Sequence, residues 1–228
     1  MKILIIVAMQ KELDLFLPLL ENAEEFEIQG HRYHRGNIGG HHVTLGKCGI
    51  GKVNSALSTL RLIQSEHPDL VVNSGVAGGA AEDIHPLDVV VANAVAYHDV
   101  WCGPGTQYGA ADGFPVRMHP DGDIVNKAVE SIPGVRKGLI CSGDQFIDNP
   151  QKVDEIWRRF PDVLAVDMES ASVLQTCISE GVRCAVLRVI SDSPRAGESF
   201  GQYVNFWEDA PKATFEALSV LLRRLSEE

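Results

Sequence analysis

The chain opens on an unbroken apolar run, Ile3 to Ala8, and then changes period, so that Leu13, Phe16, Leu17 and Leu20 fall on one face of a helix. A strand followed by a helix is predicted. Short strand-like stretches follow at Phe26 to Ile28, Tyr33 to Ile38 and Val43 to Cys48, punctuated by Gly30 and Gly39-Gly40, the pattern of a hairpin meander. Helical spacing returns after Gly49-Ile50-Gly51 through Val53, Ala56, Leu57, Leu60 and Ile63. Leu70 to Asn73 reads as a short buried strand that ends in a glycine loop, Gly75 to Gly79. Further strands are predicted at Val89 to Tyr97, Gly138 to Cys141 and Cys184 to Ile190. Helices are predicted at Gln151 to Phe160, behind Asn149-Pro150, and at Ser170 to Glu180 with Val173, Leu174 and Cys177 on one side. A terminal amphipathic helix carries Phe215, Leu218, Leu222 and Leu225. Strands alternating with helices, plus one early meander, predict an α/β fold: a three-layer α/β/α sandwich around a mixed, twisted central sheet.

Length and charge narrow the function. A chain of 228 residues suits a single domain spanning 1–228, able to bury roughly 70% of the surface its unfolded form exposes. Asp and Glu outnumber Lys and Arg by 31 to 20, a formal net charge of -11, which disfavours a broad grip on nucleic acid or anionic membrane and leaves small molecules as partners. The five cysteines are scattered and form no C-x-x-C pair, so neither a disulfide framework nor a zinc knuckle is expected, and a reducing cytoplasm fits. The apolar opening runs into Gln10, Lys11 and Glu12 without a cleavage site, which marks a core strand rather than a signal peptide or membrane span. His31, His34, His41 and His42 suggest a metal cluster at first sight, but residues three apart on a strand face opposite ways, so a solvated hairpin is expected and no metal.

The chemistry concentrates in two places. Val166-Asp167-Met168-Glu169-Ser170 and Arg188-Val189-Ile190-Ser191-Asp192 each set a carboxylate at the edge of an apolar run, where a charge is costly without a partner or a task. Asp192 falls just past the end of a buried strand, where ligand sites of open α/β sheets lie, and Glu169 stands at a helix start facing the same crevice. Gly49-Ile50-Gly51-Lys52 and Gly75 to Gly79 sit at strand ends but match neither a P-loop nor a dinucleotide fingerprint. Glu12, read alone, is an ordinary acid in a first helical turn.

Taken in order, Ala8-Met9-x-x-Glu12, Gly49-Ile50-Gly51-Lys52-Val53, Asn73-Ser74-Gly75-x-Ala77-Gly78-Gly79, Tyr97-His98-Asp99, Ser142-Gly143-Asp144-x-Phe146-Ile147, Val166-Asp167-Met168-Glu169 and Arg188-x-Ile190-Ser191-Asp192 resemble the bacterial 5′-methylthioadenosine/S-adenosylhomocysteine nucleosidases, of the nucleoside phosphorylase fold, over nearly the whole chain. The resemblance implies a cytoplasmic homodimeric hydrolase of methionine salvage that needs no cofactor and splits the N-glycosidic bond to adenine and a 5-thioribose. It assigns Asp192 as the acid that protonates adenine N7, with Ser191 orienting it, and Glu12 as the base on the attacking water, with Arg188 and Glu169 helping to hold water and sugar. Glu169 would accept both ribose hydroxyls. Phe146 and Ile147 would hold adenine, and Val76, Ala77, Gly78, Asp167 and Met168 would complete the pocket. Met9, Ile50 and an aromatic among Phe200, Tyr203 and Phe206, aligned as Tyr203, would line the 5′ slot.

The chain departs from the family pattern at Asp167, where Glu is usual, at Val76, where Ser is usual, and at Leu4 and Val7, where glycines are usual. The loop Val100 to Tyr108 also differs; in the family this region reaches a neighbouring subunit's 5′ pocket, which assigns Trp101 there. The sequence leaves open the 5′ substituent: methylthio, homocysteinyl, deoxy or futalosine-type. Two other functions compete, a purine nucleoside phosphorylase of the same fold and a non-catalytic adenosine-binding module. The first wants cations near strand one, where Glu12 stands instead.

Overall fold

A computed structural model describes residues 1–196, 199–209 and 211–226, with the backbone alone at 208–209 and 211–215. Nine strands form one sheet: β1 (Lys2–Val7), β2 (Glu21–Ile28), β3 (His31–Ile38), β4 (His41–Lys47), β5 (Leu70–Gly79), β6 (Val89–Tyr97), β7 (Arg136–Ser142), β8 (Val163–Asp167) and β9 (Arg183–Asp192). The described helices are α1 (Gln10–Phe16), α2 (Lys52–Glu66), α3 (Gly122–Ser131), α4 (Pro150–Arg159), α5 (Ser170–Glu180), α6 (Ser199–Asp209) and α7 (Pro211–Ser226). No described helix is long and apolar enough to cross a membrane.

Strand β1 explains the layering. Every residue from Ile3 to Val7 is buried, so both faces of the strand need cover. Ile3, Ile5 and Val7 join Leu13 and Phe16 of α1, Ile124 and Val125 of α3, and Leu218, Leu221, Leu222 and Leu225 of α7. The alternate side chains, Leu4 and Ile6, join Leu62 and Ile63 of α2 and Val173, Leu174 and Cys177 of α5. A third cluster packs Val153 and Ile156 of α4 on Leu139 and Val163. Each such side chain contributes about 1.5–3 kcal/mol on burial. The expected mixed sheet between helical layers is therefore present, and Asn149 caps α4 by accepting from the Lys152 N–H ahead of Pro150, as its sequence suggests. The Phe215 side chain falls outside the described part.

The strand order β2-β3-β4-β1-β5-β8-β7-β6-β9 closes on itself, because β5 also pairs with β9 in parallel from Leu70↔Arg183 to Gly78↔Asp192. That pairing corrects the sequence reading of Gly75 to Gly79: the segment is the second half of β5, not a loop. Its glycines fit because β5 passes between β9 on one side and β8, at Gly78↔Val166, on the other. The closure brings the C-terminal ends of β1, β5, β8 and β9 to one place.

Three further readings change. Val53 and Leu57 are 67% and 55% exposed, while Ser55, Ser58 and Thr59 are buried. Helix α2 turns its small residues inward because it packs closely on α5, where the Ser55 and Ser172 hydroxyls meet at 2.7 Å. His41 is buried rather than solvated, its Nε2 bonded to the Leu222 carbonyl and the Ser226 hydroxyl. Helices α3 and α6 escaped the periodicity reading altogether.

Candidate active site

The first acid is placed by its own helix start. Glu12 lies in the first turn of α1, and its Oε2 accepts the Ala8 and Met9 amides, both at 2.9 Å, while Oε1 accepts the Val76 amide at 3.0 Å. The side chain is 2% exposed. Burial raises its pKa above the ordinary carboxylate value, opposed by the three amides and the Arg188 charge. Gly75 opposite is required twice: its φ is +150°, and a Cβ there would lie 2.5 Å from Glu12 Oε1.

A buried ionic network links β9 to β5 and β8. Arg188 Nε donates to Asp167 Oδ2 at 2.8 Å. Its Nη1 reaches the Asn73 and Leu187 carbonyls at 3.0 Å each, and Nη2 reaches Asn73 Oδ1 and, at 2.8 Å, Ser170 Oγ. All five donors of the guanidinium are thus engaged by protein. Asp167 also accepts the Ser142 hydroxyl at 2.5 Å and the Ser170 hydroxyl, so it is fully held. Glu169, just before α5, accepts the Gly51 amide on Oε1 at 2.8 Å. Burial, reinforced by the Asp167 charge, pushes its pKa up to about 8.

The second acid is enclosed at the end of β9. Asp192 is 1% exposed, with Oδ1 accepting Ser191 Oγ at 2.6 Å and Oδ2 accepting Ser199 Oγ. Burial raises its pKa, and the two hydroxyls oppose that only in part. Over the mouth lie Phe146, 40% exposed, and Tyr203, edge to face at 5.6 Å between centroids, with Tyr203 Oη donating to Met9 Sδ at 3.2 Å.

These groups line one cleft. Met9, Glu12, Ile50, Val76, Ala77, Gly78, Phe146, Asp167, Met168, Glu169, Ser191, Asp192 and Tyr203 line a cavity of about 100 Å³ that opens to solvent. Ile147 lines an adjoining recess with Gly78, Phe146 and Asp192. Two of the residues singled out in the sequence stand elsewhere: Arg188 lies behind the wall, and Trp101 is 58% exposed outside the cleft. Sequence reasoning missed Asn73, Ser142, Ser170 and Ser199. Asn73 carried a signal, a polar side chain inside a buried strand, and Ser142 and Ser170 stand within the segments singled out in the sequence; Ser199 carried none. Larger surface depressions occur, but they hold no comparable group of buried acids.

The arrangement offers three buried carboxyl groups on one cleft, Glu12, Glu169 and Asp192, each with its pKa raised by burial. Such a set suits cleavage of a bond whose leaving group needs protonation while water attacks. Comparison with known proteins agrees. The phosphorylase superfamily model matches residues 2–223. A 5′-methylthioadenosine/S-adenosylhomocysteine nucleosidase from Chromohalobacter salexigens is 38% identical, the match covering 98% of this chain and 97% of that one. The S-adenosylhomocysteine nucleosidase of Streptococcus pyogenes, solved with 5-methylthiotubericidin, superposes with a TM-score of 0.94 at 33% identity, covering 99% and 97% of the two chains. The futalosine hydrolase of Helicobacter pylori superposes with a TM-score of 0.90 at 29% identity, covering 96% of each.

Proposed function

The chain belongs to the phosphorylase superfamily, among its 5′-methylthioadenosine/S-adenosylhomocysteine nucleosidases, and from that premise we propose that it hydrolyses the N-glycosidic bond of these two nucleosides to adenine and a 5-thioribose. The observation that carries the mechanism is the placement of Glu12 and Asp192 in one cleft, each buried, each with its pKa raised. Breaking a purine–ribose bond leaves positive charge on the sugar and negative charge on the base. Asp192, which burial biases toward its protonated form, delivers its proton to adenine N7, with Ser191 orienting the carboxyl. Glu12, ionised within its cradle of amides, takes a proton from the attacking water. Glu169 reads the ribose hydroxyls through Oε2, while its Oε1 stays on the Gly51 amide. Phe146 and Ile147 hold the base; Met9, Ile50 and Tyr203 hold the 5′ sulfur, which soft, apolar walls favour. Arg188 acts through Asp167 and the charge it offers the acids, having no donor left for a ligand.

Water rather than phosphate is the nucleophile. No Lys or Arg lines the cleft among the described residues, and a buried carboxylate occupies the place where a dianion would have to sit. Turnover of methylthioadenosine is therefore expected to proceed at full rate in phosphate-free buffer. Adenine release that requires phosphate and yields a ribose 1-phosphate would overturn the hydrolase reading. The likeness to a futalosine hydrolase supports one second reading, in which the same chemistry serves a different 5′ substituent; kcat/KM compared across methylthioadenosine, S-adenosylhomocysteine, 5′-deoxyadenosine and aminodeoxyfutalosine decides it.

Residues 1–228 act as one nucleoside phosphorylase-like domain, a reading supported by the span of the family match and by β1 and β9 sharing one sheet. The working form is a homodimer. Its support is the exposed apolar face of α2, Val53 and Leu57 with Ile50 beside them at 51% exposure, and Trp101, which serves a substrate only by entering a neighbour's cleft. Sedimentation should give a dimer; a fully active monomer removes Trp101 from any 5′ pocket. The free cysteines fit a reducing cytoplasm, and the two substrates fit methionine salvage.

A further inference from the structure

The segments after β4, β7 and β8 each reach the cleft, and an ionic cluster outside its lining ties the first two to the loop after β6. Lys52 Nζ donates to both oxygens of Asp99, at 2.9 and 2.8 Å, and lies 3.8 Å from Asp144 Oδ2. The Asp144 amide donates to Asp99 Oδ2 at 2.8 Å, and Asp144 Oδ1 accepts the Lys52 amide at 2.8 Å. The Lys52 and Asp99 side chains are only 23% and 19% exposed, so the pair is less screened than an ordinary surface bridge. The residue before Lys52 is Gly51, whose N–H donates to the Glu169 carboxylate at 2.8 Å.

The fit leaves no slack. Gly51 has φ +94°, and a Cβ on it would come within 2.9 Å of Asp144 Oδ1. Gly143 is pressed harder: a Cβ there would lie 2.5 Å from His98 Nε2 and 2.8 Å from Asp99 Cγ. The residue before Gly143 is Ser142, the last of β7, which holds Asp167. Backbone position at Gly51 is thus dictated by charges on two other loops.

We propose that Asp99, with Lys52 and Asp144, is a positioning residue for the reaction: the cluster sets the Gly51 N–H against Glu169 and so fixes the carboxylate that reads the sugar. The inference rests on Glu169 having that role. A clamp of this kind is expected to matter for sugar discrimination more than for the base, because adenine lies against Phe146 and Ile147, and no bond of the cluster reaches either.

Asp99→Asn tests it. The amide keeps the shape but loses the charge for Lys52 and puts an NH₂ donor where Oδ1 now accepts from Lys52 Nζ, so the two-oxygen ion pair is lost even if the remaining oxygen still accepts the Asp144 N–H. We expect kcat/KM for methylthioadenosine to fall about tenfold, the scale of one hydrogen bond to a charged group. The preference for ribose over 2′-deoxyribose should fall by a similar factor, with Kd for adenine unchanged. Lys52→Met breaks the cluster from its other end and should do the same, which keeps the test open if Asp99→Asn fails to fold. Glu169→Gln is measured beside them. If it keeps the ribose preference, the sugar assignment fails and this inference with it. If it loses the preference while Asp99→Asn and Lys52→Met slow both sugars equally, only the positioning role fails. In a Glu169→Gln background, Asp99→Asn should change the preference no further; additive losses overturn the coupling.

Discussion

Asp192→Asn is expected to lower kcat by about 10²–10⁴-fold, the usual contribution of general acid catalysis, while binding of a ground-state adenine nucleoside changes far less. Asparagine fills the same space, and the Ser191 and Ser199 hydroxyls that contact the two carboxylate oxygens can turn to accept from its amide. It can still hydrogen-bond N7, but it has no proton to give. In the wild type, burial raises the Asp192 pKa, so the protonated, active form is lost only as pH climbs through that raised value. The alkaline limb of the pH profile should therefore lie well above about 4 and vanish in the variant. A folded Asp192→Asn enzyme retaining more than about a tenth of wild-type kcat would place the acid on another residue.

Glu12→Gln should be nearly as damaging, with a kcat loss again of about 10²–10⁴-fold. The sign of its pH effect is opposite. A base works ionised, so activity falls as pH drops through the Glu12 pKa, which burial also raises. The acid limb belongs to this group and the alkaline limb to Asp192, although two buried acids in one cleft titrate as a pair and the measured values belong to both. In the variant, an amide NH₂ must face either the Val76 N–H or the Ala8 and Met9 N–H groups, all of which are donors. Some loss of stability will accompany the loss of turnover, and adenine affinity separates the two: a protein that binds adenine normally yet does not turn over has lost its base. Unchanged kcat with a normal acid limb would remove Glu12 from catalysis.

Asp192, Glu169 and Arg188 are legible in the sequence because a charge beside an apolar run demands an explanation, whereas Glu12 looks like an ordinary first-turn acid until it is set among the ordered motifs. The layering was legible for a related reason: β1 is apolar at every step, which requires helices on both faces. What stayed hidden depended on partners distant in sequence. Gly75 to Gly79 carries the composition of a turn, and only β8 and β9, about a hundred residues on, make it strand. Ser199 lies outside every motif and reaches Asp192 because α6 folds back over the end of β9. The face that α2 buries was misjudged because its inward positions are serines and a threonine, which close helix packing favours over bulk. Arg188 is legible as a buried charge, but its partners are not, since Asp167, Asn73 and Ser170 lie on other elements.

Closure of the sheet between β5 and β9 leaves β2 as its one wholly free edge among the described strands. An unpaired edge is a template on which a second chain can add a strand, and the hazard grows with protein concentration. Here that edge presents Glu21, Glu24, Glu25 and Glu27, all exposed, and a register shift between Glu21 and Glu24 interrupts its regular ladder. Two such edges brought together would set glutamates against glutamates on molecules that already carry a net charge of -11. The fold thus confines its risk of sheet-to-sheet aggregation to one strand, and that strand repels its own copy.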